Sequence, residues 1–146
     1  MSEEFPTSAP ETVLAIDPGS VKCGLAVVCA PPLVRLKLAV VDRARLTVAL
    51  GDALRAFPQI SRLLLGSGTG SANLRRAVQQ TFPQIALETV DEHGSSERAR
   101  RRFVREIPPA GLRKLLPPGL RTPERPYDDY VALLLAEEYF ARKGVL

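Results

Sequence analysis

The sequence predicts an α/β domain with a mixed five-stranded sheet, three strands antiparallel and two parallel, flanked by helices. Three apolar stretches follow one another closely, at residues 13–17, 23–29 and 34–41. The gaps between them suit hairpins and predict an antiparallel meander. Two later apolar stretches, residues 62–65 and 85–90, each follow a segment of helical period, so they are expected to be parallel strands.

A local sequence pattern predicts each of the first three strands. Residues 13–17 form an apolar run that ends in Asp17 and then Pro18-Gly19, a pattern typical of a buried strand entering a turn. Residues 23–29 are apolar and rich in valine, which favours a second strand. Residues 34–41 at first alternate leucine with basic side chains, as expected of a strand with one exposed face.

The helices are predicted from a change of period. Leu46, Leu50 and Leu54 recur every four residues and indicate an amphipathic helix. Ser71 is expected to cap the second helix. The four predicted helices cover residues 46–57, 71–82, 96–107 and 128–143. Residues 108–126, rich in proline, glycine and arginine, are expected to form a mobile surface segment.

Length and composition indicate one globular domain. The chain has 146 residues, of which 45% are hydrophobic and 25% charged. Residues 1–12 are polar, acidic and proline-containing, and we expect a disordered lead-in there, followed by a single domain over residues 13–146. No stretch approaches the roughly 20 apolar residues of a membrane span. The net charge of +4 favours a polyanionic partner.

The two cysteines predict no disulfide framework. Cys23 and Cys29 both fall in an apolar run and are expected to behave as small buried hydrophobes. A zinc site is not expected, because the chain has one histidine, His93, and no Cys-x-x-Cys pair. This cysteine usage indicates a reducing, cytoplasmic environment.

Three acids lie at the ends of predicted elements. Asp17 ends the first strand, Glu92 follows the fifth strand, and Asp128 opens the last helix. Groups at strand ends of an α/β sheet converge although they are distant in sequence. Gathered carboxylates repel one another and need a counter-ion, and their hard oxygen ligands suit Mg²⁺ or Mn²⁺. Two such ions activate a water and steady the leaving oxygen in phosphodiester cleavage.

Ordinary structural roles are the alternative for each acid. An aspartate before Pro-Gly is often a turn former, an aspartate at a helix start is often a cap, and Glu92 also fits a solvated surface position. Asp129 is a rival that would replace or join Asp128. Glu88 lies within a strand and is expected to face solvent.

Three stretches resemble the YqgF/RuvX family of Holliday-junction-resolvase-like nucleases. Residues 15–27, AIDPGSVKCGLAV, look like the opening of that family and are similar to the start of the RuvC resolvases. Residues 90–96, VDEHGSS, resemble its second motif, a strand-end Asp-Glu followed by small hydroxyl residues. Residues 128–140 resemble the third, an acid opening an Ala/Leu-rich helix. The three motifs fall in the family's order.

This resemblance implies a ribonuclease-H-like fold and a divalent-metal nuclease site. Asp17, Glu92 and Asp128 would hold Mg²⁺ or Mn²⁺, and Lys22 would lie near a substrate phosphate. The implied substrate is nucleic acid, either a four-way DNA junction or the 5′ end of pre-16S ribosomal RNA. RuvC-like enzymes work as dimers because a junction needs two symmetric cuts, so the resemblance also implies a homodimer.

The chain departs from the family at three places. His93 stands where the family usually has arginine, and the glycine loop at residues 66–70 lacks the family's usual proline. Val131 stands where RuvC has a fourth acid, three residues past its third. These departures bear on substrate choice and catalytic strength more than on fold.

The helix predicted after Glu92 carries a row of arginines. Spacings of three, four and seven place four of them on one face, and Phe103 on the opposite face is expected to dock on the sheet. Four like charges repel one another without a partner, which favours phosphate contact over the alternative of a solvated helix face. The four arginines are Arg98, Arg101, Arg102 and Arg105.

His93 and the glycine loop each fit two interpretations. His93, beside Glu92, suits proton transfer but also fits a hydrogen-bonded structural histidine. The glycine loop at residues 66–70 suits a phosphate at the following helix N-terminus but also fits a plain turn, and it lacks the Gly-Lys-Ser/Thr ending of a P-loop.

The leading hypothesis is thus a metal-dependent nuclease. A non-catalytic nucleic-acid-binding protein on the same fold is the second. An ATP-binding protein of the actin/sugar-kinase class is the third, and it ranks last because those enzymes close two lobes around the nucleotide.

Overall fold

The computed structural model describes residues 9–68, 70–91, 95–107 and 126–146, and its elements follow the predicted order. The strands are β1 (Glu11–Asp17), β2 (Lys22–Ala30), β3 (Val34–Asp42), β4 (Ile60–Gly66) and β5 (Ala86–Val90). The helices are α1 (Leu46–Ala56), α2 (Ser71–Thr81), α3 (Ser95–Glu106) and α4 (Asp128–Arg142), and a short 3-10 turn, Arg43–Arg45, precedes α1.

The five strands form one mixed sheet in the order β3-β2-β1-β4-β5. β1, β2 and β3 pair antiparallel, as the short gaps between them predict. β4 pairs parallel with β1, and β5 pairs parallel with β4, because a helix carries the chain back before each of them. The predicted fold class is therefore confirmed.

Alternation along the central strand β1 divides the core between the two faces of the sheet. Val13 and Ala15 lie in a cluster with α3 and α4, whereas Leu14 and Ile16 lie in a cluster with α1 and α2. All four side chains are fully buried, because β1 is covered on both faces.

α4 is the most deeply buried helix among the described elements. Nine of its fifteen residues are buried, and it contacts β1, β2, β3 and β4. A helix that crosses the middle of a sheet loses most of its exposed face, which explains the long Ala/Leu run in its sequence. Val131, at the position where the sequence resemblance implies a fourth acid, is 2% exposed within this core.

Two boundaries differ from the sequence prediction. β1 begins at Glu11, two residues early, and Thr12 is buried, so this end of the expected lead-in belongs to the sheet. Residues 1–8 lie outside the described residues, as do residues 108–125 of the predicted surface segment. Gly70, with φ 72°, occupies the N-cap of α2, and Ser71 is the first helical residue, so the predicted Ser71 cap is wrong.

The apolar face of α3 packs against α4. The ring of Phe103 meets Tyr130 edge to face with centroids 5.5 Å apart, and it also contacts Tyr127. Val104 is buried beside Phe103, whereas Ile107 is 38% exposed. Phe103 lies in one buried cluster with Val90 of β5 and with residues of α4, and Glu106 at the end of α3 pairs with Arg35 of β3, so the expectation that this face docks on the sheet is not contradicted.

The expectation that both cysteines are buried is confirmed for Cys23 and wrong for Cys29. Cys23 is buried, Cys29 is partly exposed, and both are free thiols. Within the described ranges, every helix is too short or too polar to cross a membrane.

Candidate active site

Three parallel strands end at the same edge of the sheet. Ile16 of β1 is level with Leu65 of β4, and Gly66 of β4 is level with Val90 of β5. The backbone N–H of Ser67 donates to the carbonyl oxygen of Val90 at 3.0 Å, which ties the next turn to this edge. Groups carried just past these strand ends face the crevice where α/β sheets bind their ligands.

Asp17 is the last residue of β1 at this edge. It follows the alternation of Val13 and Ala15, so its side chain belongs to the face covered by α4. The residue is 8% exposed. A carboxylate so nearly buried is costly unless it is paired or coordinates a cation.

Gly24 brings the start of α4 next to Asp17. Gly24 is the cross-strand partner of Asp17 in the β1–β2 hairpin. A Cβ atom built on Gly24 would be 1.9 Å from the carbonyl oxygen of Asp128. The backbone at Asp128 therefore packs directly on β2, one strand away from Asp17, and only glycine permits this approach.

The charges of Asp17 and Asp128 both act on the Cys23 thiol. Its pKa is raised, chiefly by burial and further by the negative charges of Asp17 and Asp128. A hydrogen bond to the carbonyl oxygen of Gly19 and the positive charge of Arg43 act in the opposite direction. The Gly24 contact therefore places the backbone of Asp128, distant in sequence, against the strand residue that pairs with Asp17.

Asp128 and Asp129 differ in their surroundings, although both lie in the first turn of α4. Asp129 is 3% exposed, and its Oδ1 accepts the backbone N–H of Tyr130 at 3.0 Å. Asp128 is partly exposed, and its charge reaches Cys23. These surroundings favour Asp128 over Asp129 as the acid that faces the crevice.

Glu92 and His93 lie outside the described residues. Within the described ranges, no group of three or more histidine, cysteine, aspartate or glutamate side chains is arranged to hold a metal ion. The two carboxylates of Asp17 and Asp128 fit a divalent ion by their chemistry, because Mg²⁺ and Mn²⁺ prefer hard oxygen ligands. The nearly buried Asp17, with the glycine contact that brings Asp128 beside it, makes that fit specific to this edge.

Lys22 begins β2, just after the turn that follows Asp17. Its Nζ lies 2.9 Å from Oδ1 of Asp42 on β3, and both side chains are largely exposed. An exposed ion pair of this kind contributes little to stability and exchanges readily for another anion. The position at the start of β2, and not this pairing, places Lys22 at the edge of the candidate site.

The predicted arginine face exists and lines one open groove of about 410 Å³ between α3 and α4. Glu106 and Leu134 complete its lining, and beside it Arg98 lies 3.4 Å from Glu138 of α4 and Arg102 pairs with Glu137 of α4. Three of the four arginines, Arg98, Arg101 and Arg102, thus form ion pairs with glutamates of the chain, which weakens the argument from repulsion among like charges. The arginines that line the groove are Arg98, Arg101, Arg102 and Arg105.

The arginines differ in how firmly they are held. Arg102 has a side chain only 26% exposed, and hydrogen bonds to Glu137 and Glu106 raise its pKa although burial opposes them. Arg101 is exposed and lies 3.9 Å from Glu97. Arg105 is exposed and forms no ion pair with the described residues. Arg101 and Arg105 are thus the members most available to an anion.

Glu106 ties this groove to the sheet. Its carboxylate accepts hydrogen bonds from Arg35 of β3 at 2.9 and 3.1 Å, from Arg102 at 3.0 Å and from the hydroxyl of Tyr130 at 3.0 Å. These donors, Arg35 foremost, lower its pKa to about 2 against the opposing effect of burial. Sequence reasoning missed Glu106, Glu137 and Glu138, and for the last two the available signal was a pair of acids on the helix that packs against the basic one.

Comparison with known proteins identifies the fold. No protein-family model and no curated protein matches the chain. RuvC from Thermus thermophilus, in complex with a Holliday junction substrate, is similar over 92% of this chain and 97% of that one, with 20% identity and a TM-score of 0.58. The fowlpox virus resolvase bound to Holliday junction DNA covers 90% and 98%, with 11% identity and a TM-score of 0.59.

The chain has a ribonuclease-H-like fold. Both structures align along nearly their whole length, so the likeness extends over the complete sheet and its helices. At these identities the comparison shows the fold, and the site has to be argued from the residues themselves.

Proposed function

We propose that this chain is a divalent-metal-dependent endonuclease that cleaves phosphodiester bonds in structured nucleic acid. The observation that carries the proposal is the contact of Gly24 with the backbone of Asp128. That contact brings a second carboxylate beside the nearly buried Asp17 at the carboxyl edge of the parallel strands.

The proposed metal ligands are the carboxylates of Asp17, Asp128 and Glu92. Val90, two residues before Glu92, ends β5 at the same sheet edge as Asp17, which supports the choice of Glu92 as the third acid. When bound, Mg²⁺ or Mn²⁺ supplies an activated water and stabilises the leaving oxygen. The protein's own part is to hold its carboxylates in place, which the rigid sheet and the buried α4 favour. Asp129 is the alternative ligand, and His93 is the candidate for proton transfer.

The proposed nucleic-acid surface combines Lys22 with the arginine groove. Phosphate contacts need exposed cations, and Arg101 and Arg105 meet that need without breaking pairs to α4. Arg98 and Arg102 would contribute positive potential while they hold α3 on α4. Such a surface predicts affinity that falls steeply with salt.

A four-way DNA junction and pre-16S ribosomal RNA are the two proposed substrates. The first is the ligand named for the two structural neighbours, RuvC and the fowlpox resolvase. The second comes from the resemblance to the YqgF/RuvX family. For the junction we further propose a homodimer, because two symmetric cuts need two sites.

The deciding experiment is a cleavage assay on a labelled four-way DNA junction beside a pre-16S RNA fragment. Each substrate is incubated with Mn²⁺, with Mg²⁺ and with a chelator. We expect metal-dependent cutting of one substrate, and its identity assigns the substrate class. Binding without cutting under both metals would instead favour a non-catalytic nucleic-acid-binding protein, and His93 and Val131 would then be the first positions to restore.

A further inference from the structure

Arg43 holds the turn that follows Asp17 at two points. It is the first residue of the 3-10 turn after β3, and its backbone N–H donates to the carbonyl oxygen of Val21 at 2.8 Å. Its Nη1 donates to the carbonyl oxygen of Gly19 at 2.8 Å. Arg43, which follows the edge strand β3, therefore holds the short turn between β1 and β2 at both Gly19 and Val21.

The same guanidinium also reaches the loop that follows β4. A Cβ atom built on Gly70 would be 3.4 Å from Nη2 and 3.9 Å from Nη1 of Arg43. Gly70 has a φ of 72° and directly precedes α2. Arg43 thus lies between the loops that follow two adjacent parallel strands, β1 and β4, where α/β sheets bind ligands.

Arg43 differs from the better-paired arginines of this protein. None of the carboxylates in the described residues forms an ion pair with it, whereas Arg35, Arg62 and Arg102 each contact at least one glutamate. A guanidinium has five N–H donors, and the hydrogen bond to Gly19 uses one of them. Its charge acts on the same Cys23 thiol as those of Asp17 and Asp128.

We propose that Arg43 is a phosphate-binding residue of the candidate site, which contacts the nucleic-acid backbone between the β1–β2 turn and the glycine loop. This inference rests on the proposed nuclease function and adds to it a cation on the side of the site opposite α3. Arginine suits the position because its planar fork can keep the Gly19 bond and still present parallel N–H groups to a phosphate. The guanidinium also lies beside Gly70, where the left-handed backbone with φ 72° favours glycine.

Binding of the junction and of the RNA, measured in chelator over a range of salt concentrations, tests this role separately from cleavage. Arg43→Gln is compared with Arg43→Lys and with Arg45→Gln, which removes an equal charge from the same 3-10 turn but has no contact with Gly19. We expect Arg43→Gln to bind about tenfold more weakly. Its log–log salt slope should be shallower by about 0.9 for DNA, the loss of one phosphate contact.

The controls separate phosphate contact from simple bracing of the turn. Arg43→Lys should keep the wild-type salt slope, and Arg45→Gln should keep both slope and affinity. An Arg43→Gln protein that is less stable but has the wild-type slope would overturn the inference while leaving the nuclease proposal intact. Wild-type protein that neither binds nor cuts either nucleic acid would overturn both.

A footprint on the wild-type protein covers the case in which Arg43→Gln does not fold. Phenylglyoxal modifies accessible arginines, and mass spectrometry reports the extent at each position. Bound junction or RNA should protect Arg43 and leave Arg45 reactive. Equal modification of Arg43 with and without nucleic acid, under conditions of full binding, would overturn the inference.

Discussion

Gly24 of β2 and Asp128 of α4 are in backbone contact: a Cβ atom at Gly24 would lie 1.9 Å from the Asp128 carbonyl oxygen and 2.7 Å from the Asp129 nitrogen. Both atoms belong to the backbone, which cannot move away as a flexible side chain can. The contact sets the distance between the start of α4 and the end of β1, because Gly24 pairs with Asp17. One missing methyl group thus determines how closely two candidate metal ligands approach.

Gly24→Ala is therefore expected to abolish cleavage and to destabilise the fold. Overpacking of a tight core costs about 1–3 kcal/mol, and a clash with backbone should reach the upper end of that range or exceed it. Chemical denaturation measures the loss, and the metal-dependent cleavage assay measures the effect on the site. Gly51→Ala is the matched control. A Cβ atom there meets its nearest neighbour at 3.6 Å within α1, so it should stabilise the helix by about 0.5–1 kcal/mol. Wild-type cleavage in Gly24→Ala would contradict this account.

Asp17→Asn is expected to abolish metal-dependent cleavage while nucleic-acid binding in chelator is retained. The amide is nearly isosteric but loses the negative charge that a divalent ion requires, and it leaves the arginine groove intact. Binding and cleavage are measured on the same substrate with the same protein. Unchanged cleavage by Asp17→Asn would exclude this residue from the site.

Alanine substitutions at Asp128 and Asp129 should separate the site residue from the structural one. Asp129→Ala removes one of the two acceptors of the Tyr130 N–H, the other being the carbonyl oxygen of Tyr127 at 2.9 Å, so we expect its free energy of unfolding to fall by about 0.5–1.5 kcal/mol. Asp128→Ala loses only a partly exposed helix-start carboxylate, worth about 0.3–1 kcal/mol, yet should lose cleavage. Cleavage lost in a well-folded Asp129→Ala and kept in Asp128→Ala would reverse the assignment.

Local patterns were enough to predict the sheet and the placement of Asp17 and Asp128. The β1 run is apolar on both faces, and the order of gaps and helical periods determines which strands are parallel. The role of Gly24 was not predictable, because it depends on where α4 crosses the sheet. Arg43 was missed for the same reason, since its contacts with Gly19 and Gly70 join three loops that only the fold brings together.

The ion pairs of the arginines on α3 were likewise not predictable from the sequence. Spacing along α3 correctly placed four arginines on one face, but it carries no information about what faces them. The docking of α3 on α4 supplies Glu137 and Glu138 as partners. Repulsion among like charges is thus relieved within the chain, and phosphate binding has to rest on the exposed members.

Arg102 and Arg105 are therefore expected to respond differently to the same substitution. Arg102→Gln leaves Glu137, whose side chain is 17% exposed, without its cation, and should reduce stability by about 1–3 kcal/mol. Arg105→Gln should leave stability unchanged, weaken nucleic-acid binding and make the salt slope shallower. Arg76→Gln on α2, across the sheet, is the control of equal charge. If nucleic-acid binding by Arg105→Gln has the same salt slope as wild type, this face of α3 is solvated and does not contact phosphate.

Glu106 predicts a specific acid sensitivity of the folded state. Hydrogen bonds from Arg35, then Arg102 and Tyr130, hold its pKa at about 2 in the folded protein, below the ordinary value of 4.5. Because the folded pKa is the lower one, this stabilisation is complete above about pH 4.5 and is lost as the pH falls toward 2. One pKa unit corresponds to about 1.4 kcal/mol, but solvent screens a side chain that is 33% exposed, so we expect about 1–2 kcal/mol in total.

Denaturation of wild type and Glu106→Gln at pH 7 and near pH 2 measures that contribution. The variant should be less stable by about 1–2 kcal/mol at pH 7, and the difference should shrink at the lower pH because the wild-type carboxylate is then largely protonated. Glu88→Gln is the control, since its carboxylate is more exposed and lies 3.7 Å from Arg62 outside this network. A gap between wild type and Glu106→Gln that stays constant with pH would mean that Glu106 holds α3 to β3 through packing and neutral hydrogen bonds. The charge pair with Arg35 would then contribute nothing measurable to the orientation of the arginine groove.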